Sequence, residues 1–258
     1  MRRSIIAGMD LGLEGRVALV TGASKGIGRG IAAALAAEGA RVAVSSRALE
    51  RAQAAAAEIG AQAAFAHDSA DLDAAPGLVA AVHDALGPVD VLVLNTGGPP
   101  GGPDPLGFPR AEWEAAYRTL VLAPLALVEA AVPAMAERGW GRVLNVASTS
   151  VREPIDPLML SNVHRPGTLA AFKTLSRRFA AQGVTFNTVL PGRIATDRLA
   201  ELHGSLDVAQ ELAAGDVPAG RLGTVEEFAA AAAFRCSDRA SYITGTALPV
   251  DGGLLRSL

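Results

Sequence analysis

Cysteine is almost missing from this chain of 258 residues; Cys236 is the only one. A lone thiol cannot close an internal disulfide, so the sequence points to a reducing compartment and a cytoplasmic protein. Tyrosine is nearly as scarce, occurring only as Tyr117 and Tyr242. The four histidines form no cluster with cysteine, and no metal site is expected. Neither sign of charge dominates: 23 Lys and Arg face 26 Asp and Glu, for a formal net charge of −3. That balance removes the electrostatic case for nucleic acid as a partner. No apolar stretch reads as long enough to cross a membrane. Met1–Gly8 carries Arg2, Arg3 and a short apolar patch, too little for a signal peptide. Residues 1–10 read as a possible disordered extension, with Met9 as good a start as Met1.

Hydrophobic residues make up half of the chain, and alanine, a strong helix former, is abundant. The length suits one domain, here residues 11–258, with a substantial core. Short apolar runs alternate with helical patterns. Strands are expected at Val17–Val20, Val42–Ser45, Ala63–Ala66, Val89–Leu94, Arg142–Ala147, Thr185–Leu190 and Ala247–Val250. Helices are expected at Gly28–Glu38, Leu49–Ile59, Leu72–Leu86, Arg110–Arg138, Leu160–Gln182 and Val225–Cys236. This alternation implies an α/β fold with a mostly parallel, doubly wound sheet of seven strands. Pro99–Pro109 and Thr149–Leu158, rich in proline, read as loops that wall a cleft. Asp197–Gly223, helical in parts, reads as a mobile lid. Its Leu199, Leu202, Leu206 and Leu212 hint at a moderately apolar substrate, although an amphipathic lid packed on the body would look the same.

The first strand runs into Thr21-Gly22-Ala23-Ser24-Lys25-Gly26-Ile27-Gly28, and an apolar helical period follows through Ile31 and Leu35. Strand, tight turn and helix N-terminus in that order aim free backbone N–H groups and a helix dipole at one point, where a pyrophosphate can sit. A side chain at the glycines would keep the backbone away from it. The second strand ends in Ser45-Ser46-Arg47, without the acid that would accept from a ribose 2′-OH. Arg47 and Lys25 together suit a 2′-phosphate instead, so NADP(H) is expected over NAD(H).

The spacing Thr-Gly-x-x-x-Gly-x-Gly resembles the short-chain dehydrogenase/reductase family, and in particular its 3-oxoacyl-acyl-carrier-protein reductases. Leu94-Asn95-Thr96-Gly97, Pro191-Gly192 and Thr244-Gly245 with Val250-Asp251-Gly252-Gly253 extend the resemblance over nearly the whole chain. It implies a Rossmann fold and a small carbonyl or alcohol substrate. It also implies a homodimer or homotetramer formed through the long helices. Asp68, with Ser69, would bind the adenine amino group, or else cap the next helix. Asn95 would brace the sheet, and Gly97 would let backbone approach the cofactor. Ile194 and Thr196 would contact the nicotinamide amide beside Pro191 and Gly192.

The family's chemistry rests on Asn, Ser, Tyr and Lys. Ser148 fits the serine. The Tyr-x-x-x-Lys positions read Ser161-Asn162-Val163-His164-Arg165, and the asparagine position falls on Leu120. An aliphatic hydroxyl cannot match a tyrosine, whose reference pKa of about 10 a nearby cation can lower. Arg165 keeps a fixed cation that could bind the nicotinamide ribose or stabilise an alkoxide. His164 titrates near neutrality and could share the cleft, though a surface histidine is the plainer reading. Pro124 lacks an N–H and would free the Leu120 carbonyl to hold a water. These readings give an NADPH-dependent reductase of a ketone or 3-oxoacyl group, with Ser148, Ser161 and Arg165 catalytic. The competing readings are a dinucleotide-binding sensor or assembly subunit without turnover, and a different reaction on the same scaffold.

Overall fold

Val17–Val20 (β1), Arg41–Ser46 (β2) and Ala63–Ala66 (β3) are short runs of small or branched apolar residues. They hydrogen-bond side by side in a computed structural model that describes residues 9–257. Met1–Gly8, most of the expected extension, lies outside the described residues. Val91–Leu94 (β4), Gly141–Val146 (β5), Val184–Pro191 (β6) and Ala247–Val250 (β7) complete the sheet. Its order is β3-β2-β1-β4-β5-β6-β7, and each neighbouring pair is parallel. β4 begins two residues later than expected. Asp90, just before it, takes the Val17 N–H on its carboxylate at 3.1 Å, while its own N–H donates to the Val17 carbonyl at 2.8 Å.

Gly26–Ala37 (α1), Leu49–Ile59 (α2) and Val225–Arg235 (α9) cover one face. Ile31, Leu35, Ala52, Phe228 and Ala232 are buried there against Val20, Val44 and Val93. Ala75–Leu86 (α3), Ala123–Glu137 (α5) and Met159–Phe179 (α6) cover the other, with Leu78, Val82, Leu127, Val132 and Phe172 buried against Leu19, Leu92 and Phe186. Fully burying one such side chain stabilises the fold by about 1.5–3 kcal/mol, so the two cores supply most of the driving force.

The expected helix Arg110–Arg138 is three pieces: Arg110–Tyr117 (α4), a π-helical turn at Arg118–Leu122, and α5. Pro124 cannot donate to Leu120, and the Ala123 N–H reaches back five residues to the Arg118 carbonyl. The span Arg110–Glu137 is in fact long and apolar enough to cross a membrane, contrary to the expectation from sequence. Leu120, Leu127, Val128, Val132 and Met135 on it are nonetheless buried in the protein. The lid region holds Asp197–His203 (α7) and Leu206–Asp216 (α8). Leu199 packs against Ala209, Ala213 and Leu222, whereas Leu202, Leu206 and Leu212 are exposed.

Candidate active site

The chain leaves β3 and returns beside β1 as β4, so the strand order reverses between β1 and β4. Ligands of open α/β sheets bind outside the strands' carboxyl ends at such a point. Thr21 and Asn95 stitch this crevice together. The Thr21 N–H donates to the Val93 carbonyl at 3.0 Å, the Thr21 hydroxyl to the Asn95 carbonyl at 3.1 Å, and the Asn95 N–H returns to Thr21 Oγ1 at 3.1 Å. Asn95 Nδ2 donates to the Gly22 carbonyl at 2.9 Å, which pins the glycine turn. Gly22 has φ +57°, and a Cβ there would collide with the Asn95 carbonyl. A Cβ on Gly28 would lie 2.5 Å from the Gly22 carbonyl and 2.6 Å from Asn95 Nδ2. Gly22 and Gly28 are therefore closed to side chains, and Asn95 holds the turn against the end of β4.

At the start of α1, Lys25 gives no side-chain cap and the first turn has no acid. The helix dipole and N–H groups at Gly26, Ile27 and Gly28 are left for an anion, which is the donor set a pyrophosphate requires. The Ala23 N–H donates to the Ser45 carbonyl at 3.0 Å and ties the turn to β2. Beyond β2, Arg47 is exposed, and Ser46 is buried with its hydroxyl on the Ala48 carbonyl at 2.7 Å. Lys25 does not turn toward Arg47. Its Nζ lies 3.1 Å from Asp197 and 3.8 Å from Glu201 on α7, so the expected convergence of two cations is absent in this structure.

Asp68 does not cap α3, which begins at Ala75; its Oδ1 accepts the Ala70 N–H at 2.9 Å in a local turn beside Ser69. The space beside Gly97 is open, with no atom within 4 Å of a built Cβ. Gly192, after Pro191, serves a different end: a Cβ would lie 2.6 Å from Asp251 Cα, so glycine lets the end of β7 approach. Ile194 is buried, with its Cδ1 2.8 Å from where a Cβ on Gly223 would lie. Thr196 caps α7 through the Leu199 N–H at 3.4 Å, and its methyl would lie 3.5 Å from a Cβ on Gly26.

The catalytic positions lie at the end of β5. Arg165 Nε donates to Ser161 Oγ at 3.0 Å, and its Nη1 donates to the carbonyl of Val146, the last residue of β5, at 3.1 Å. Ser161 is buried, with its hydroxyl 3.4 Å from that of Ser150, a residue the sequence reading passed over. Ser148 is half-buried, and its Oγ accepts the Ser150 N–H at 3.1 Å. Burial and the nearby charge of Arg198 lower the Arg165 pKa to about 10.

His164 departs from the plainer, surface reading: it is half-buried, and its ring packs 5.8 Å from Trp113 and 5.9 Å from Tyr117 on α4. Its Nε2 is buried there without a partner, and burial lowers its pKa. The Leu120 carbonyl is released from the helix ladder, but the Thr168 hydroxyl takes it at 2.5 Å inside the core. It accepts from a side chain where a water was expected.

A phosphate-cradling turn at the strand reversal, next to a hydroxyl and a fixed cation at the adjoining strand end, is the layout of an enzyme that moves hydride between a dinucleotide and the carbonyl/alcohol couple. Comparison with known proteins gives the family. The model described as enoyl-(acyl carrier protein) reductase matches residues 22–255. Nodulation protein G of Azospirillum brasilense is 33% identical over 246 residues, covering 93% of this chain and 98% of that protein. A 3-oxoacyl-[acyl-carrier-protein] reductase, FabG, of Vibrio cholerae is 35% identical over 247 residues, covering 95% and 99%. The structure of L-sorbose reductase from Gluconobacter frateurii, complexed with NADPH and L-sorbose, superposes with a TM-score of 0.88 at 30% identity, covering 97% and 100%. The chain belongs to the short-chain dehydrogenase/reductase family and is an oxidoreductase of carbonyl and alcohol groups.

Proposed function

We propose that this chain reduces a ketone or 3-oxoacyl-type carbonyl with NADPH, and that Ser161 and Arg165 replace the family's tyrosine and lysine as a working pair. The observation that carries the reading is the 3.0 Å hydrogen bond from Arg165 Nε to Ser161 Oγ at the end of β5. The helical spacing of four keeps a hydroxyl and a cation side by side where the family has its tyrosine and lysine.

The cofactor is NADP(H) in preference to NAD(H). Sorbose reductase was solved in complex with NADPH, and BacG of Bacillus subtilis, 30% identical to this chain, is an NADPH-dependent reductase. Arg47 at the end of β2 stands where a 2′-phosphate would lie, and no acid takes its place. The turn Gly22–Gly28 with Ser24, Lys25 and Ile27 would hold the pyrophosphate. Ser46 and Arg47 would hold the adenine ribose, and Asp68 and Ser69 the adenine. Asn95, Gly97, Pro191, Gly192, Ile194 and Thr196 would surround the nicotinamide side, Ile194 through its backbone. Bound NADPH supplies the hydride.

Ser148 orients the carbonyl once its hydroxyl turns from the Ser150 N–H. Arg165, oriented by Ser161, holds the oxygen as negative charge develops, an effect worth about 10²–10³ in rate for a well-placed donor. The proton comes from solvent, because His164 is turned to α4. The protein works in the cytoplasm as a homodimer or homotetramer. In support, its lone thiol is buried, and Tyr117 and Val163 leave apolar surface exposed on α4 and α6.

The test is NADPH consumption over a panel of ketones and 3-oxoacyl thioesters, with NADPH binding titrated on the same sample. Turnover that Arg165→Ala abolishes supports the reading. Tight NADPH binding without turnover across the panel favours the sensor, the assembly subunit or another reaction on this scaffold.

A further inference from the structure

Arg165 has no acid partner. Its two assigned hydrogen bonds end on neutral oxygens, Ser161 Oγ and the Val146 carbonyl, and no carboxylate lies within 4 Å of it among the described residues. A guanidinium has five N–H donors, so most of this fork is left over. A second guanidinium stands close by. Arg198 on α7 donates from Nη2 to the Pro99 carbonyl at 2.8 Å, and a Cβ on Gly98 would lie 3.4 Å from its Nε. Its acid partner, Glu201 at 3.7 Å, is exposed and shared with Lys25 at 3.8 Å.

Arg165 is thus anchored at the end of β5 and Arg198 on the loop after β4, and these strands are neighbours. Burial first, and then the positive charge of Arg198, lower the Arg165 pKa. Arg165 has spare donors and no carboxylate partner, Arg198 has only an exposed and shared one, and a planar carboxylate fits a guanidinium fork.

We propose that the cleft is selective for carbonyl substrates that carry a carboxylate, and that Arg198 is the residue that reads it. Arg165 must also reach the carbonyl oxygen, so the carboxylate lies one or two carbons from the carbonyl. The substrate class is a 2-oxo or 3-oxo acid. In the reaction the carbonyl carbon gains a hydride from NADPH, the π pair of its C=O moves to oxygen, and that oxygen takes a proton from water. The oxo acid becomes a hydroxy acid and NADPH becomes NADP+. This inference rests on reading the cleft as a carbonyl-reducing site.

The experiment has two arms. In the first, kcat/KM is measured for 2-oxo and 3-oxo acids, their methyl esters and the parent ketones. In the second, oxamate and malonate, which cannot be reduced, are titrated calorimetrically into the NADP+ complex, with neutral oxamide as control. The acids should exceed their esters by about tenfold or more, the factor for one charge-assisted hydrogen bond. Oxamate or malonate should bind and oxamide should not. Arg198→Gln should remove about tenfold of the preference and of the anion affinity while the NADPH Kd stays within about twofold.

Esters and ketones turned over as well as acids would overturn the proposal and leave the reductase reading standing. So would an Arg198→Gln variant whose loss falls on the NADPH Kd, since Arg198 would then serve the cofactor's phosphates. Anion binding that depends on Arg198, without turnover of any carbonyl, would uphold the anion site and overturn the reductase reading.

Discussion

At the carboxyl end of β1 the polar partners are supplied mostly by the backbone. Asn95 Nδ2 reaches the Gly22 carbonyl, Thr21 meets both Val93 and Asn95, and the Ala23 N–H meets the Ser45 carbonyl. At the carboxyl end of β5, two strands away, the work falls to side chains: Ser148, Ser150, Ser161 and Arg165. At the first site a Cβ on Gly22 or Gly28 would collide with the backbone. The second has room to exchange one hydroxyl–cation pair for another. Cofactor binding is therefore fixed by shape, whereas the catalytic end is fixed by charge and can drift in its residues while the fold stays intact.

Four measurements bear on that contrast. The largest effect should come from Arg165→Ala, with kcat reduced about 10²–10³-fold while the NADPH Kd moves far less. Equal losses in both would dissolve the division. Gly28→Ala should do the reverse: the added Cβ faces the Gly22 carbonyl and Asn95 Nδ2, and a strain cost of about 1–3 kcal/mol should raise the NADPH Kd by about tenfold or more. Binding by tryptophan fluorescence, with circular dichroism to verify folding, reads it. Asn95→Ala leaves the Gly22 carbonyl unpaired and should lower unfolding stability by about 1–2 kcal/mol in urea. An unchanged midpoint would mean that the turn holds itself.

The smallest effect concerns pH. The Arg165 cation is lost as pH rises through about 10, so kcat/KM should hold from pH 7 to 9 and halve near pH 10, where an ordinary arginine would stay charged. Stability carries the opposite sign. Between about pH 10 and the ordinary value of 12.5 the unfolded chain binds the extra proton, so this group makes the fold relatively more stable as pH rises. A kcat/KM that stays level beyond pH 10.5 would show that the Arg165 charge is not what stabilises the transition state.

The sheet was readable because most strands are short apolar runs set between helical patterns; β1, β3 and β7 match their expected ranges residue for residue. The glycine turn was readable because steric exclusion is local in sequence. The catalytic end was harder. Ser161 and Arg165 follow from a spacing of four on one helix, but Ser150 enters only through the 3₁₀ turn at Thr149–Val151, which folds the loop back on α6. His164 sits one residue from Arg165, and nothing in its neighbours says that Trp113, some fifty positions earlier, will cover it. Arg198 could not be found from sequence at all, because its place depends on how α7 docks against the loop after β4. Lys25 was misjudged for the same reason: Asp197 and Glu201 compete for it across a tertiary contact.

The lone thiol has a practical use. Cys236 is fully buried, and burial raises its pKa to about 12, so it stays protonated and out of reach of maleimides at neutral pH. A cysteine introduced at an exposed position of α7, such as Glu201→Cys, would then be the one site that accepts a fluorophore. The native sequence is thus already a blank background for watching, one molecule at a time, how the segment that carries Arg198 moves as ligands come and go.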